Sequence, residues 1–124
     1  MLSVGTVVTG MADLHRAVAF WMSALDYVLE REIGTEDDFA ILLPARGSGA
    51  RLAFQVSQTP VQAYPRVHLD LYADDAADQF TEVERLVALG ATPVGWDRYP
   101  DDADFVVLAD PDGNRFCVVD TSHG

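Results

Sequence analysis

Apolar and polar positions along the first half of the chain follow periods that predict a strand, a helix and three further strands. Residues 2–9 are rich in Val and Thr, which is typical of a strand. Apolar residues then recur at helical spacing behind a plausible N-cap, Asp13. The predicted apolar face of this helix consists of Leu14, Ala17, Val18, Trp21 and Leu25. Strands are predicted next at 27–33, 39–43 and 51–57.

The second half of the chain repeats this order. RVHLDLY (66–72) alternates as a strand, and Asp74 or Asp75 can cap a helix that ends at Gly90. The predicted apolar face of this second helix consists of Ala76, Phe80, Val83 and Val87. Strands are predicted at 92–98, 105–109 and 115–120, with the turn DPDGN joining the last two.

The amino-acid sequence itself is repeated, which predicts an architecture of two equivalent modules. DFAILL (38–43) matches DFVVLA (104–109), and Asp13 corresponds to Asp75. We therefore expect an α+β fold in which two βαβββ modules pair into a curved mixed sheet, with helices outside and a concave ligand-binding face. The expected single domain spans 1–124, with module one at about 1–57, a proline-bearing linker at 58–65 and module two at about 66–124.

Charge then narrows the possible partners. The net charge is −12, and all eight basic residues are Arg, so the basic stripe that nucleic acids require is missing. An anionic membrane surface would repel the chain, whereas a cationic small molecule would be attracted. We find no signal peptide, no apolar run long enough to span a bilayer and only one cysteine. These features favour a cytoplasmic protein.

Three features together resemble the vicinal oxygen chelate superfamily. They are the doubled module, the HLDL strand (68–71) and the DPDGNRFC hairpin (110–117). That superfamily includes glyoxalase I, bleomycin-resistance proteins, fosfomycin-resistance enzymes and ring-cleaving dioxygenases. The chain is most similar to the small glyoxalase-like branch, and the resemblance covers nearly its whole length. Because members of the superfamily resemble one another in forming dimers, we expect a homodimer, with or without exchange of modules.

The resemblance also implies a divalent metal site built from four strand positions, two in each module. These positions fall on Thr6, His68 and Cys117, and on Gln55, or on Ala53 if Arg51 is aligned with Arg115. Thr6 is a poor ligand, Gln55 a weak one, and a soft Cys does not suit Mg, Mn or Fe. We therefore expect no metal; if one binds, His68, Cys117 and Gln55 would hold it.

The remaining candidates define two functions. His68, Asp70 and Tyr72 share one strand face, and Trp96 either lines the cavity or covers core. Together with Thr6, Gln55 and Cys117 they form the predicted ligand-binding set. One function is metal-independent binding of a cationic or aromatic small molecule. The alternative is a lyase, isomerase or transferase with His68 as acid or base, with or without a divalent metal.

Overall fold

The protein is described by a computed structural model covering all 124 residues. The chain forms two compact units, Met1–Pro60 and Val61–Gly124, which divide inside the predicted linker. Their elements are β1 (Thr6–Met11), α1 (Leu14–Leu25), β2 (Tyr27–Leu29), β3 (Phe39–Pro44) and β4 (Arg51–Val56), then β5 (Asp70–Ala73), α2 (Ala76–Leu89), β6 (Thr92–Pro93), β7 (Phe105–Ala109) and β8 (Arg115–Asp120). Each unit thus holds one helix and one mixed four-stranded sheet, open rather than closed into a barrel. The predicted βαβββ order and the α+β class are confirmed.

In the first unit, the helix α1 packs against the sheet and buries most of its own apolar residues. Its strand order is β1-β4-β3-β2, with β1 parallel to β4 and the other pairs antiparallel. Asp13 caps α1 by accepting a hydrogen bond from the Arg16 backbone N–H at 3.1 Å. Six residues of α1 are buried, Trp21 among them, and the helix packs against β2, β3 and β4, where Leu52 and Phe54 are buried as well.

The second unit repeats this topology with a different helix surface. Its strand order is β5-β8-β7-β6, with β5 parallel to β8. Asp75 caps α2, and Gly90 ends it at a φ of 126°, which favours glycine. The predicted apolar face of α2 is wrong, however, since Phe80 is 67% exposed and Leu86 is the fully buried residue of the helix. Gln79 lies toward the sheet instead and donates to the carbonyls of Asp104 and Val118, both at 3.0 Å.

Matching hydrogen bonds show that the repeat extends to the backbone. The Val56 N–H donates to the Asp38 carbonyl at 2.8 Å, and the Asp120 N–H donates to the Asp104 carbonyl at 2.7 Å. Just beyond them, the residue that follows the last strand of each unit donates to the end of its first strand. These bonds join Ser57 to Met11 at 2.9 Å and Thr121 to Ala73 at 3.0 Å. The internal repeat read from the letters is therefore a repeat of structure.

Several predicted strands are shorter than their patterns suggested. The first begins at Thr6 rather than residue 2, and the second ends at Leu29. In module two the first strand begins at Asp70, although the Cys117 N–H already donates to the Leu69 carbonyl at 2.9 Å. The strand predicted at 92–98 contains only Thr92–Pro93. Alternation of apolar and polar residues predicts which face of a strand is buried. It does not predict the residue at which hydrogen bonding to the next strand stops, because that depends on the partner strand.

The DPDGN turn has the predicted geometry. The Gly113 N–H donates to the Asp110 carbonyl at 2.8 Å, and Gly113 has a φ of 96°. The buried Asp110 carboxylate accepts from the backbone N–H groups of Asp112 and Asn114, at 3.0 and 2.9 Å. This closed turn fixes the point at which Arg115 starts β8. As for the helices, neither is long and apolar enough to cross a membrane.

Candidate functional site

One face of the second sheet carries the polar side chains. Asp70 pairs with Cys117, which in turn pairs with Val107, so side chains of these three residues share a face. The opposite face presents Val118 and Leu108, both nearly inaccessible, on the side where α2 packs against β5 and β8. The sheet therefore places its apolar side under the helix and leaves a mixed polar and apolar side free for a ligand.

That free side is hollowed into a pocket of about 500 Å³. The volume falls in the range that small-molecule sites occupy. Every lining residue belongs to the second unit. They are Tyr64, Pro65, His68, Asp70, Trp96, Arg98, Asp104, Phe105, Val107, Arg115, Phe116, Cys117 and Val119.

A polar cluster of His68, Asp70 and Cys117 lies in the pocket wall. The Nε2 atom of His68 is 3.0 Å from Oδ1 of Asp70, and the ligand atoms of all three residues lie within 4.8 Å of one another. His68 stands just before β5, so that it shares the pocket face with Asp70 two residues later. About two-fifths of the His68 side chain is exposed (43%), which leaves the ring accessible to a molecule in the pocket.

Cys117 differs from its two neighbours because it is buried. Burial raises the pKa of the Cys117 thiol to about 11, and the charge of Asp70 together with a hydrogen bond to it acts in the same direction. At neutral pH the sulfur therefore keeps its proton and donates it to the Asp70 carboxylate. A protonated thiol is a poor nucleophile, so the geometry does not support Cys117 as an activated cysteine.

Aromatic rings form a second part of the wall. Tyr64 and Trp96 lie with ring centroids 5.3 Å apart, and the Arg98 guanidinium sits 3.8 Å above the Tyr64 ring. The Tyr64 hydroxyl donates to the Asp97 carboxylate at 2.8 Å, and this hydrogen bond raises the pKa of Tyr64 above its ordinary value. The phenol is therefore held in place as a donor, which gives the platform a defined orientation.

The structure brings together four of the predicted ligand-binding residues on this pocket: His68, Asp70, Trp96 and Cys117. Tyr72 shares their strand face but is 78% exposed and does not line the pocket. Thr6 and Gln55 lie in the first unit. There, Gln55 is exposed and donates to the Asp38 carbonyl at 3.2 Å.

Strand register resolves which residue of the first unit is equivalent to Cys117. Asp70 pairs with Cys117 in the second unit. Counting from the two N-caps, the counterpart of Asp70 is Val8, which pairs with Ala53. The alignment of Arg51 with Arg115 is therefore the structural one. The first-unit equivalents of His68, Asp70 and Cys117 are Thr6, Val8 and Ala53, which together form no polar cluster.

Sequence reasoning missed most of the remaining lining residues. Tyr64 and Arg98 lie in irregular segments, where no period predicts which way a side chain points. Arg115, Phe105 and Val119 could have been found, because they share strand parity with Cys117 or with its neighbour Val107. Trp96 was left between core and cavity, and the structure places it half-buried in the pocket wall.

The superfamily resemblance implies a divalent metal, and the cluster of His68, Asp70 and Cys117 offers three donor atoms that could hold one. One imidazole nitrogen, one carboxylate oxygen and one sulfur within 4.8 Å match the donor types and number of a zinc site with an open position. The same set does not suit Mg or Mn, which prefer oxygen ligands. Asp70, which was not among the predicted metal ligands, is the residue that makes three donors possible.

Comparisons with known proteins agree on one family and one fold. A family model described as a glyoxalase-like domain matches residues 6–119. A glyoxalase/bleomycin resistance protein/dioxygenase family enzyme from Burkholderia phytofirmans PsJN is similar in structure, with a TM-score of 0.71, 16% identity and coverage of 94% of this chain and 97% of that chain. The fosfomycin resistance protein FosX from Listeria monocytogenes also has a TM-score of 0.71, at 15% identity and coverage of 96% and 91%.

A possible glyoxalase from Bacillus cereus has the same TM-score, 0.71, at 16% identity and coverage of 96% and 99%. No curated protein matches the chain significantly. At these identities, the similarity to solved structures establishes the fold.

Proposed function

The chain belongs to the glyoxalase-like domain family, and from that premise we propose that it binds an aromatic small molecule in the pocket of the second unit. The observation that carries the proposal is the pocket itself, about 500 Å³ with an aromatic platform of Tyr64 and Trp96 beside the polar cluster. Recognition in such a site comes from apolar burial of the ligand and a few polar groups that fix its orientation. We further propose that the protein acts as a homodimer.

Binding by this pocket does not require a metal. Stacking on Tyr64 and Trp96 and hydrogen bonding to the cluster use only groups of the chain. Cys117 is protonated at neutral pH, so an ion would have to displace its proton before binding to the sulfur. The function proposed is therefore metal-independent binding, in keeping with the expectation from the sequence.

One tryptophan variant and one tyrosine variant test the position of the ligand-binding site. Trp96→Ala should weaken binding of an aromatic probe such as indole-3-acetamide by about tenfold, because one stacking partner is worth about 1–3 kcal/mol. Tyr72→Ala is the matched control, since Tyr72 lies on the same strand face outside the pocket. Equilibrium dialysis measures both. Equal loss in the two variants, or loss in Tyr72→Ala alone, would move the site away from this pocket.

A second candidate function is favoured by the His68–Asp70 pair. The Asp70 carboxylate can accept the Nε2 proton of His68 at 3.0 Å, which leaves Nδ1 able to take a proton from a bound molecule. Such a pair would serve a lyase, isomerase or transferase of the same family. A divalent ion held by His68, Asp70 and Cys117 would supply Lewis-acid polarisation of a substrate oxygen.

Metal content separates metal-independent binding from a metal-dependent enzyme. Elemental analysis of untagged protein should find well under one divalent ion per chain, and a chelator should leave the melting temperature unchanged, because only an ion bound to the native state stabilises it. Stoichiometric zinc that is released by both His68→Ala and Cys117→Ala would favour the enzyme instead. Tyr72→Ala serves here too as the control that should retain whatever ion is present.

A further inference from the structure

Two arginines line the pocket without a carboxylate partner, although the protein carries 20 acidic residues against 8 basic ones. Arg46, Arg51 and Arg85 all form ion pairs with Asp or Glu. Arg98 instead lies over the Tyr64 ring, and Arg115 donates through Nη1 to the Gly113 carbonyl at 2.8 Å. Arg31 in the first unit also forms no ion pair, so what distinguishes Arg98 and Arg115 is that both lie on the wall of one pocket.

Arg115 is the more informative of the two. Its Nε atom is buried and has no hydrogen-bond partner within the chain. A buried N–H donor without a partner lowers the stability of the fold, unless another molecule accepts a hydrogen bond from it. The bond from Nη1 to the Gly113 carbonyl, in the closed DPDGN turn, anchors the guanidinium itself, so this group is held rather than free to move into solvent.

The acidic residues on the wall do not cancel these charges equally. Asp70 is already paired with His68 and bonded to Cys117. Asp104 contributes its backbone carbonyl to Gln79 and to Asp120, and its carboxylate is the one acidic group of the lining that forms no ion pair. The two guanidinium groups therefore offset the two carboxylates of the lining, so this wall is far less acidic than the chain as a whole.

We infer that the pocket selects an aromatic ligand that carries an anionic group, a carboxylate or a phosphate, held by Arg98 and Arg115 while its ring lies against Tyr64 and Trp96. Guanidinium groups match such oxyanions with paired, charge-assisted hydrogen bonds. This inference rests on the proposed function, because it names the ligand class of the same pocket. It replaces the cationic ligand that net charge alone suggested, since a site responds to its own wall before the summed field of the chain.

The test compares three probes that share one ring and differ in charge: indole-3-acetate, indole-3-acetamide and tryptamine. Equilibrium dialysis against the full chain should rank indole-3-acetate first, by about tenfold over the neutral amide. Arg98→Gln and Arg115→Gln should each remove that preference, and Asp104→Asn should increase it. Arg31→Gln, an exposed arginine of the first unit without an ion pair, is the matched control. It should change nothing.

The outcomes separate this inference from the proposal beneath it. Equal binding of acetate and amide overturns the anionic preference but leaves the aromatic pocket standing. Tightest binding of tryptamine overturns it in favour of a cationic ligand. If no probe binds, the inference and the proposed function both fail. Should Arg115→Gln fail to fold, shown by its melting curve, the exposed Arg98 decides the matter alone, and a preference that survives Arg98→Gln overturns the inference.

Discussion

The two units share one strand order but differ in what their equivalent positions do. The fifth residue after the helix N-cap is Val18 in the first unit, where it is 6% exposed, and Phe80 in the second, where it is 67% exposed. Conversely, the sheet positions that hold Val8 and Ala53 in the first unit hold Asp70 and Cys117 in the second. A repeated backbone therefore leaves equivalent positions free to differ, with a buried helix residue in one copy and a polar cluster in the other.

The largest expected effect tests the difference in packing. Trp21→Ala should lower the free energy of unfolding by about 3–5 kcal/mol, because it empties a buried site in α1. Phe80→Ala should change it by no more than about 0.5 kcal/mol, because that ring is largely in solvent. Urea denaturation followed by circular dichroism measures both. Similar losses in the two variants would show that α2 packs through Phe80 after all.

The next effect concerns Cys117 at alkaline pH. Its pKa is raised from the ordinary 9.0 to about 11 in the folded chain, so between these values the native state holds a proton that the unfolded state has released. Stability is therefore fully present below about pH 9 and is lost as pH rises toward 11, by about 2–3 kcal/mol in all. Urea titrations at pH 8 and 10.5 should show this fall.

Cys117→Ala is the control for that fall, since it keeps every other titrating group. The variant should lose less stability than the parent over the same pH range. Ala53, the equivalent residue of the first unit, shows that an alanine is accommodated at this strand position. An identical decline in parent and variant would mean that the thiol is not held protonated by its surroundings.

The smallest expected effect comes from exchanging the residue types that end the two helices. Asp26 ends α1 with a φ of 54°, a left-handed conformation that costs a residue with a side chain about 1–2 kcal/mol, whereas Gly90 ends α2. Asp26→Gly should stabilise the chain by about 0.5–1 kcal/mol, after the added chain entropy of glycine is deducted. Gly90→Asp should destabilise it by about as much or more. Melting curves of both variants check the opposite signs.

The periodicity of apolar residues predicted the architecture because strand alternation and turn residues agreed with each other along the chain. The alternation of DFVVLA and of RFCVVD, joined by DPDGN, specified a hairpin that the structure reproduces residue for residue at Phe105–Ala109 and Arg115–Asp120. The apolar face of α2 was mispredicted because the residue at the sheet, Gln79, is polar and satisfies two carbonyls there. Hydrophobic periodicity cannot identify a buried face that is built with a hydrogen-bonding side chain.

The pocket was predictable only where it is made of strands. Asp70 and Cys117 followed from parity and pairing, and His68 shares that parity just before β5. Tyr64 and Arg98 come from irregular segments 34 residues apart in the numbering, and what brings them within 3.8 Å is tertiary contact. No local pattern encodes that distance. The charge of the pocket wall could not be predicted from the net charge of the chain. Net charge counts the residues, but it does not tell which arginines form ion pairs and which line the pocket.

The shortness of the outer strands has a consequence for the behaviour of the chain at high concentration. A sheet edge with unpaired backbone groups is a template on which another molecule can add a strand, and runaway addition of that kind leads to aggregates. In the second sheet this outer edge is only Thr92–Pro93, and the proline has no N–H to donate. In the first it is the three residues Tyr27–Leu29. At one of its two edges, each sheet thus ends in a strand too short to recruit a neighbour.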